Sequence, residues 1–137
     1  MLCLKADEET QLMAVTNGTP CVLVVDDEPI IADTLALILN RSGFSATAAY
    51  SGEEAAEVAP TLQPDILISD VIMFDMTGIE LAIQVSRSVP ACRAVLLSGQ
   101  AATADLLRSA DQRGYSFEIV VKPVHPRVLL DLLRRKS

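Results

Sequence analysis

Five short apolar segments recur along the chain, and each is followed by a segment with helical periodicity. The apolar segments have the length of strands and are rich in branched residues; they cover residues 21–25, 44–49, 65–70, 93–97 and 117–121. Strands that alternate with helices favour a parallel sheet, covered by helices on both faces and joined by right-handed crossovers. The pattern therefore predicts an α/β fold with a doubly wound, five-stranded parallel sheet and five helices.

The third apolar segment, within Asp65–Met73, is predicted to be a buried strand with a carboxylate at its end. Pro64 stands before it, where a strand can begin without a ladder N–H, and residues 66–68 have no polar alternation. Both faces of this strand are therefore expected to be buried, as in a parallel sheet. Asp70 ends the segment, and the carboxyl ends of parallel strands are where open α/β sheets bind ligands.

The helical segments are bounded by ordinary start and stop residues. Pro29 suits the first turn of the first helix, Ser51 can cap the second, and the second is predicted to end at Pro60. The fourth is expected over about residues 102–112. Two apolar faces are predicted from the spacing: Ile30, Ile31, Thr34, Leu35, Ile38 and Leu39 in the first helix, and Val128, Leu129, Leu132 and Leu133 in the last.

Length and composition favour one folded domain and narrow the class of ligand. The chain has 137 residues, of which we expect 1–19 to form a loosely ordered tail and 20–137 the domain. The formal net charge of -7 argues against a direct nucleic acid binder and suits a metal cation or a basic partner. Three cysteines and the single His125 show no zinc-binding spacing. No membrane span or secretory signal is visible, so a cytoplasmic location is expected.

Polar residues suited to one site follow four of the five strands. Asp26 and Asp27 follow the first strand, Asp70 ends the third, Ser98 the fourth and Lys122 the fifth. Because the carboxyl ends of parallel strands share one edge, these side chains should converge there, and three carboxylates so close need a cation. Oxygen ligands of this kind suit Mg²⁺. Asp70 would be the nucleophile that takes a phosphoryl group, with the Lys122 ammonium and the Ser98 hydroxyl holding its oxygens.

The ordered set resembles the receiver domain of two-component response regulators. The matching pieces are Leu23–Pro29, Asp70–Met73 with Gly78 following, Leu97–Gly99 and Val121–Pro123. The resemblance implies a flavodoxin-like fold with strand order 2-1-3-4-5, and a sensor histidine kinase or phosphotransfer protein as phosphodonor. It also implies a cis peptide between Lys122 and Pro123.

The resemblance further implies how Mg²⁺ would be held. Asp27, Asp70 and the carbonyl of Ile72 would be direct ligands, and Asp26 would act through water.

Three positions depart from the usual pattern of that family. Phe74 stands where the family often has proline, and Gly99 where it often has alanine. Ile119 takes the place of the aromatic residue that usually moves together with the hydroxyl, so the usual coupling between the two is not expected in this chain.

The function expected from these residues is a phosphorylation-dependent signalling switch rather than an enzyme, with at most slow self-dephosphorylation. A phosphoryl group on Asp70 would draw Ser98 inward and change the face of helix four, strand five and helix five, where an unknown downstream protein would bind. A homodimer also stays open. Because no output domain follows Ser137, the chain would act by binding, act as a phosphate relay or sink, or be a fragment of a longer protein.

Two other classes of protein fit the sequence less well. A pseudo-receiver that serves only as a docking module would be favoured by loss of an acidic or lysine position, and none is lost. An aspartyl-phosphate hydrolase would place a second aspartate two residues after its nucleophile, where this chain has Ile72.

Overall fold

The computed structural model describes residues 18–99 and 103–135, so residues 1–17 of the predicted tail lie outside the described residues. The described part contains five strands and five helices in strict alternation. In chain order they are β1 (Cys21–Val25), α1 (Pro29–Asn40), β2 (Ser45–Ala49), α2 (Gly52–Leu62), β3 (Ile66–Asp70), α3 (Gly78–Ser88), β4 (Arg93–Ser98), α4 (Thr103–Gln112), β5 (Glu118–Val121) and α5 (Pro126–Arg134).

The five strands form one parallel sheet in the order β2-β1-β3-β4-β5, which confirms the predicted fold and strand order. The order reverses direction at β1, so β1 and β3 lie side by side although a strand and two helices separate them in sequence. Val25 pairs with Ser69, and Asp70 pairs with Leu97. This register brings the residues that follow β1 next to the end of β3.

The core has two layers, one on each face of the sheet. Alternate side chains of β1 divide between them: Leu23 and Val25 pack with α2, α3 and α4, while Val22 and Val24 pack with α1 and α5. Residues 66–68 of β3 are buried throughout, as their uninterrupted apolar sequence predicts for a strand with helices on both sides. Because both faces of the sheet are packed, its carboxyl edge has a defined position.

The prediction that α2 ends at Pro60 was wrong. The helix continues to Leu62, and Gln63 then takes a left-handed conformation (φ 52°) while its N–H donates to the carbonyl of Ala59 at 2.8 Å. Proline's fixed φ is compatible with a helix, and its cost is the lost N–H and crowding in the preceding turn. One lost bond near the end of a helix that buries Leu62 is not enough to stop it.

The predicted apolar faces of the first and last helices were only partly right. Ile30 and Ile31 of α1 are 80% and 41% exposed, and the buried residues of that helix are Ala32, Ala36 and Leu39. Apolar residues occur almost all round α1, so spacing alone did not determine its inner face. In α5, Leu129 and Leu133 are buried, but Val128 is 56% exposed.

Candidate functional site

The three predicted acidic residues meet at the carboxyl edge of the sheet. Asp26 and Asp27 follow β1, and Asp70 is the last residue of the neighbouring strand β3. One carboxylate oxygen from each lies within 4.8 Å of the others, close enough to share a metal ion. The adjacency comes from the crossover between β1 and β3, which places two distant segments of sequence side by side.

Asp26 is the most enclosed member of this acidic cluster, at 4% exposure. Burial raises the pKa of its carboxyl, the N–H of Glu28 (2.9 Å to Oδ1) opposes that effect, and the nearby charges of Asp70 and Asp27 raise the pKa further. A buried carboxylate beside two others is costly unless a cation neutralises it. The donor set therefore fits a hard divalent cation such as Mg²⁺.

Lys122 supplies a cation of the protein itself. Its Nζ lies 3.1 Å from Oδ2 of Asp70, and both side chains are partly shielded from water. The backbone N–H of Lys122 donates to the carbonyl of Ser98 at 2.8 Å, which fastens the end of β5 to the end of β4. The peptide between Lys122 and Pro123 is cis, as the resemblance implied. One ammonium against three carboxylates leaves the cluster negatively charged.

Ser98 and Ile72 are the two remaining residues of the predicted site. Ser98 is buried at the end of β4, one residue beyond the Leu97 that pairs with Asp70. Ile72 lies two residues past Asp70 in the loop before α3, with a half-exposed side chain. The structure thus gathers five of the predicted residues, Asp26, Asp27, Asp70, Ser98 and Lys122, at one edge, and places Ile72 in the adjoining loop.

Four hydrogen bonds fasten the loop between Asp70 and α3. The N–H of Phe74 donates to Oδ2 of Asp27 at 3.0 Å, and the N–H of Gly78 donates to the carbonyl of Val71 at 2.7 Å. The carboxylate of Asp75 accepts from the N–H groups of Gly52 (3.2 Å) and Glu53 (2.8 Å) at the start of α2. The loop is therefore tied to the acidic cluster on one side and to a helix on the other.

Sequence reasoning missed this role of Asp75. The first N–H groups of a helix have no partner within the helix, so a carboxylate there is favourable. Although desolvation opposes it, this set of backbone N–H donors lowers the pKa of Asp75. A free helix start after Ser51 was visible in the sequence, but the partner lies 22 residues from Glu53 and needed the fold to be found.

Ile119 lies in β5, as the sequence predicts, and its side chain is half-buried. Phe117, two residues earlier, stacks on Tyr115 with ring centroids 6.1 Å apart. Both rings pack against the core layer on the α4 side of the sheet. Phe117 therefore belongs to the packing of α4 and is not a substitute for the missing aromatic residue at position 119.

Fold and site together define a doubly wound α/β domain with an acidic, lysine-paired ligand site at its sheet edge. Residues 22–134 match the family model described as the response regulator receiver domain. The chain belongs to the response regulator receiver family.

Relatives of known name agree with this assignment. The probable transcriptional regulatory protein TcrX of Mycobacterium tuberculosis is 31% identical over 112 residues, which are 81% of this chain and 47% of the relative. The DNA-binding response regulator MtrA of Mycolicibacterium smegmatis is 28% identical over 115 residues, or 84% of this chain and 49% of the relative. The chain thus spans about half the length of these curated relatives.

Solved structures match over almost their whole length. The chemotaxis protein CheY4 of Vibrio cholerae has a TM-score of 0.75 at 28% identity, covering 85% of this chain and 98% of that one. A CheY-like receiver domain protein of Methanospirillum hungatei has a TM-score of 0.76 at 23% identity, covering 85% and 91%, and supports the fold alone. Among the described residues, no helix is both long and apolar enough to cross a membrane.

Proposed function

We propose that this chain accepts a phosphoryl group on Asp70 from a sensor histidine kinase or phosphotransfer protein and thereby changes its binding to a downstream protein. The observation that carries the proposal is the Asp70 carboxylate within an acidic cluster and 3.1 Å from the Lys122 ammonium. An oxygen of Asp70 would attack phosphorus as the P–N bond of the donor's phosphohistidine breaks, and the imidazole would leave with that electron pair. Asp70 would then carry an acyl phosphate.

The residues around Asp70 divide the developing charge between them. Asp26, Asp27, Asp70 and the carbonyl of Ile72 would hold Mg²⁺, which supplies charge neutralisation at the phosphoryl oxygens when bound. Lys122 pairs with Asp70 before transfer. After transfer its ammonium would pair with a phosphoryl oxygen. Ser98, buried at the end of β4, would donate its hydroxyl to another oxygen.

The onward signal is proposed to pass through the face formed by α4, β5 and α5. Ser98 and Lys122 are joined by a backbone hydrogen bond, so a movement of the end of β4 would be felt in β5. Val121 and Val128 offer exposed apolar contacts on the elements of this face. The domain's negative charge supports a protein partner here, whereas DNA binding is named for relatives about twice as long as this chain.

The phosphodonor is proposed to dock beside the site, against α1 and the loop after β5. A groove of about 640 Å³ lies there, next to Asp26 and Lys122, and its apolar lining includes the exposed Ile30 and Ile31. A donor that covers these residues would exclude water from the phosphoryl group during transfer. The two isoleucines that were expected in the core would then have a binding role.

Three further proposals concern the extent of the domain, its location and its class. The folded domain is taken as residues 20–137 with a tail before it, and the cytoplasm as its location. We propose no turnover of a separate substrate, and therefore no enzyme. A phosphate relay or sink uses the same chemistry without a downstream partner. A pseudo-receiver is disfavoured by the intact acidic cluster and Lys122, and a hydrolase by Ile72.

Beryllofluoride, which mimics a phosphoryl group on a carboxylate, tests the proposal directly. With Mg²⁺ and beryllofluoride, the wild type should give a bound fluorine resonance, and Asp70→Asn should give none because the attacking oxygen is lost. Asp131→Asn, an equivalent exchange at an exposed position of α5, is the matched control and should bind like the wild type. An adduct that survives Asp70→Asn, or no adduct on the wild type, would contradict the proposal.

A further inference from the structure

Phe74 is the most exposed large apolar side chain among the described residues, at 97% exposure. It lies four residues beyond Asp70, and its N–H donates to Oδ2 of Asp27, a member of the acidic cluster. The backbone is thus held at the rim of the site while the ring extends into water. The hydrophobic free energy of burying an exposed phenylalanine ring becomes available only when another surface covers the ring.

The base from which the ring projects is fixed. Beside the bond to Asp27, the next residue, Asp75, is bound to two N–H groups of α2, and Met76 packs against Gly52 so closely that a Cβ there would lie 2.4 Å from its Cγ. A side chain on a preorganised loop loses less conformational freedom when a partner binds it. This is the condition under which a single aromatic residue becomes an energetically dominant contact.

The surroundings of the ring indicate the chemistry of the surface that would cover it. Phe74 borders a groove of about 480 Å³, whose other lining residues are Asp27, Glu28, Tyr50, Ser51 and Asp75. Tyr50 adds a second, partly exposed ring, held by a 2.5 Å hydrogen bond from its hydroxyl to Asp33. An apolar contact surrounded by carboxylates fits a partner with an apolar socket flanked by lysine or arginine.

The chemistry of phosphoryl transfer selects one partner for this position. The donor is the one protein that must bring an atom within bonding distance of Asp70, so its surface must cover the rim of the site. A downstream partner has no such requirement. Because β2 and β5 are at opposite ends of the sheet order, the groove at Phe74 lies across the acidic cluster from the groove at α1 and the β5–α5 loop.

We propose that Phe74 is an aromatic anchor by which this chain recognises its phosphodonor, inserting into an apolar socket beside the donor's phosphohistidine. This inference rests on the proposed function, and it adds a specificity-determining residue at a position where the chain departs from the usual proline. Residues flanking the socket on the donor are basic and face Glu28 and Asp75.

The experiment compares a small phosphodonor with protein donors on the same variants. Wild type and Phe74→Ala receive phosphoramidate with Mg²⁺ in one arm, and a panel of autophosphorylated histidine kinases from the same genome in the other. With phosphoramidate the rates should agree within about twofold, since the ring touches almost nothing in the free protein. With the fastest kinase, kcat/KM should fall about tenfold or more, chiefly through KM, because burial of an interface aromatic is lost.

Two matched variants accompany Phe74→Ala. Phe74→Tyr keeps the ring and should recover kcat/KM to within about threefold of wild type. Leu37→Ala removes an exposed apolar side chain from α1 that lines neither groove, and it should leave transfer from the kinase unchanged. Raising salt from about 50 to about 300 mM should raise KM for wild type and Phe74→Tyr, since the rim is acidic.

Binding is also followed without transfer. The chain has three phenylalanines, so protein labelled with 4-fluorophenylalanine gives three fluorine resonances, and the one missing from Phe74→Ala belongs to the rim. That resonance should shift or broaden when the unphosphorylated kinase is added. The resonances of Phe44 and Phe117, which pack in the two core layers, should change less.

Several results would overturn the inference, each in a recognisable way. An equal loss with phosphoramidate would mean that the ring supports the chemistry rather than the donor. The donor contact would be contradicted by any of three results. These are no loss of kcat/KM with any kinase, a fluorine resonance of Phe74 that does not change, and no transfer to a wild type that still binds beryllofluoride. Self-association abolished by Phe74→Ala would assign the ring to a second copy of the chain. Failure of the wild type to bind beryllofluoride would instead contradict the proposed function itself.

Discussion

At the scale of single residues, the site depends on places where the backbone comes unusually close to itself. Gly78 begins α3 directly behind the end of β3, and its N–H donates to the carbonyl of Val71. A Cβ on Gly78 would lie 2.2 Å from the carbonyl oxygen of Asp70 and 3.0 Å from Oγ of Ser69. The loop can therefore fold back over the end of β3 only because this residue has no side chain.

Gly78→Ala should lower stability and weaken cation binding together. The added methyl meets backbone atoms that cannot rotate away, so the free energy of unfolding should fall by about 1–3 kcal/mol. Urea denaturation measures this loss, and calorimetric titration with Mg²⁺ measures the affinity.

Gly99→Ala is the matched control for this substitution, because its Cβ would meet only Cδ and Cβ of Lys122, at 3.6 and 3.7 Å. Its stability should stay close to that of the wild type. Equal effects of the two substitutions would refute the close-approach argument at Gly78.

At the scale of elements, one arginine joins two strands and a helix at the edge of the sheet opposite the site. Arg93 begins β4 and forms two hydrogen bonds with the carboxylate of Glu118 in β5, at 2.5 and 2.7 Å. The same guanidinium donates to carbonyls at the end of α5: Leu132, Leu133 and Arg135. The last carbonyls of a helix lack partners within it, and here the carbonyl of Leu132 also accepts from the N–H of Arg135 at 3.2 Å. Arg93 therefore adds donors at the end of α5 while it pairs the strands.

This pairing predicts a pH dependence of stability through Glu118. The hydrogen bonds from Arg93 hold the pKa of Glu118 below its ordinary value, so the native state binds fewer protons there than the unfolded state. The stabilisation is present above the ordinary glutamate pKa and is lost as pH falls through the folded value. Wild type should therefore exceed Glu118→Gln in stability at pH 7, and the difference should shrink from about pH 5 to about pH 3.

Urea denaturation of both proteins across this range makes the comparison. Glu80→Gln breaks a more exposed pair with Arg113 and should cost less at pH 7. A difference between wild type and Glu118→Gln that stays constant, or grows, as pH falls would contradict the assignment.

At the scale of the whole molecule, the fold concentrates negative charge at its functional edge. The chain has a formal net charge of -7, and the acidic cluster places three of its carboxylates within 4.8 Å. Repulsion between these carboxylates is expected to lower the free energy of unfolding unless a cation is bound. Site and fold are therefore expected to compete when no cation is present.

Asp26→Asn should show this competition as opposite effects with and without metal. Burial and the neighbouring carboxylates raise the pKa of Asp26, so its ionised form at neutral pH destabilises the native state, and that penalty grows as pH rises through the folded pKa. In EDTA, the neutral isostere should therefore raise the free energy of unfolding, by about 1 kcal/mol.

Saturating Mg²⁺, at about 100 times Kd, should add about 2.7 kcal/mol to the wild type, and less to Asp26→Asn at the same concentration. Thermal and urea denaturation in EDTA and in Mg²⁺ give the four values needed. Asp131→Asn should respond to Mg²⁺ as the wild type does. If Asp26→Asn lowers the free energy of unfolding in EDTA, the charge of Asp26 does not destabilise the metal-free protein, and the prediction is wrong.

What the sequence determined by itself is the order of elements and the set of polar residues that meet at one edge of the sheet. The uninterrupted apolar residues of β1 and β3 predict buried parallel strands, and a parallel sheet brings every carboxyl end to one edge. Because of that rule, Asp26, Asp27, Asp70, Ser98 and Lys122 could be assigned to one site before any distance was known. This assignment required only that all five strands run in the same direction.

What only the tertiary structure decided depends on contacts between segments far apart in sequence. The inner face of α1 is chosen by the sheet it packs on, which leaves Ile30 and Ile31 outside, and α2 passes through Pro60 because Leu62 is buried. The ties from Phe74 to Asp27 and from Asp75 to α2 have no local pattern, since each partner is set by the crossovers. Periodicity describes one element at a time, whereas these features arise where elements meet.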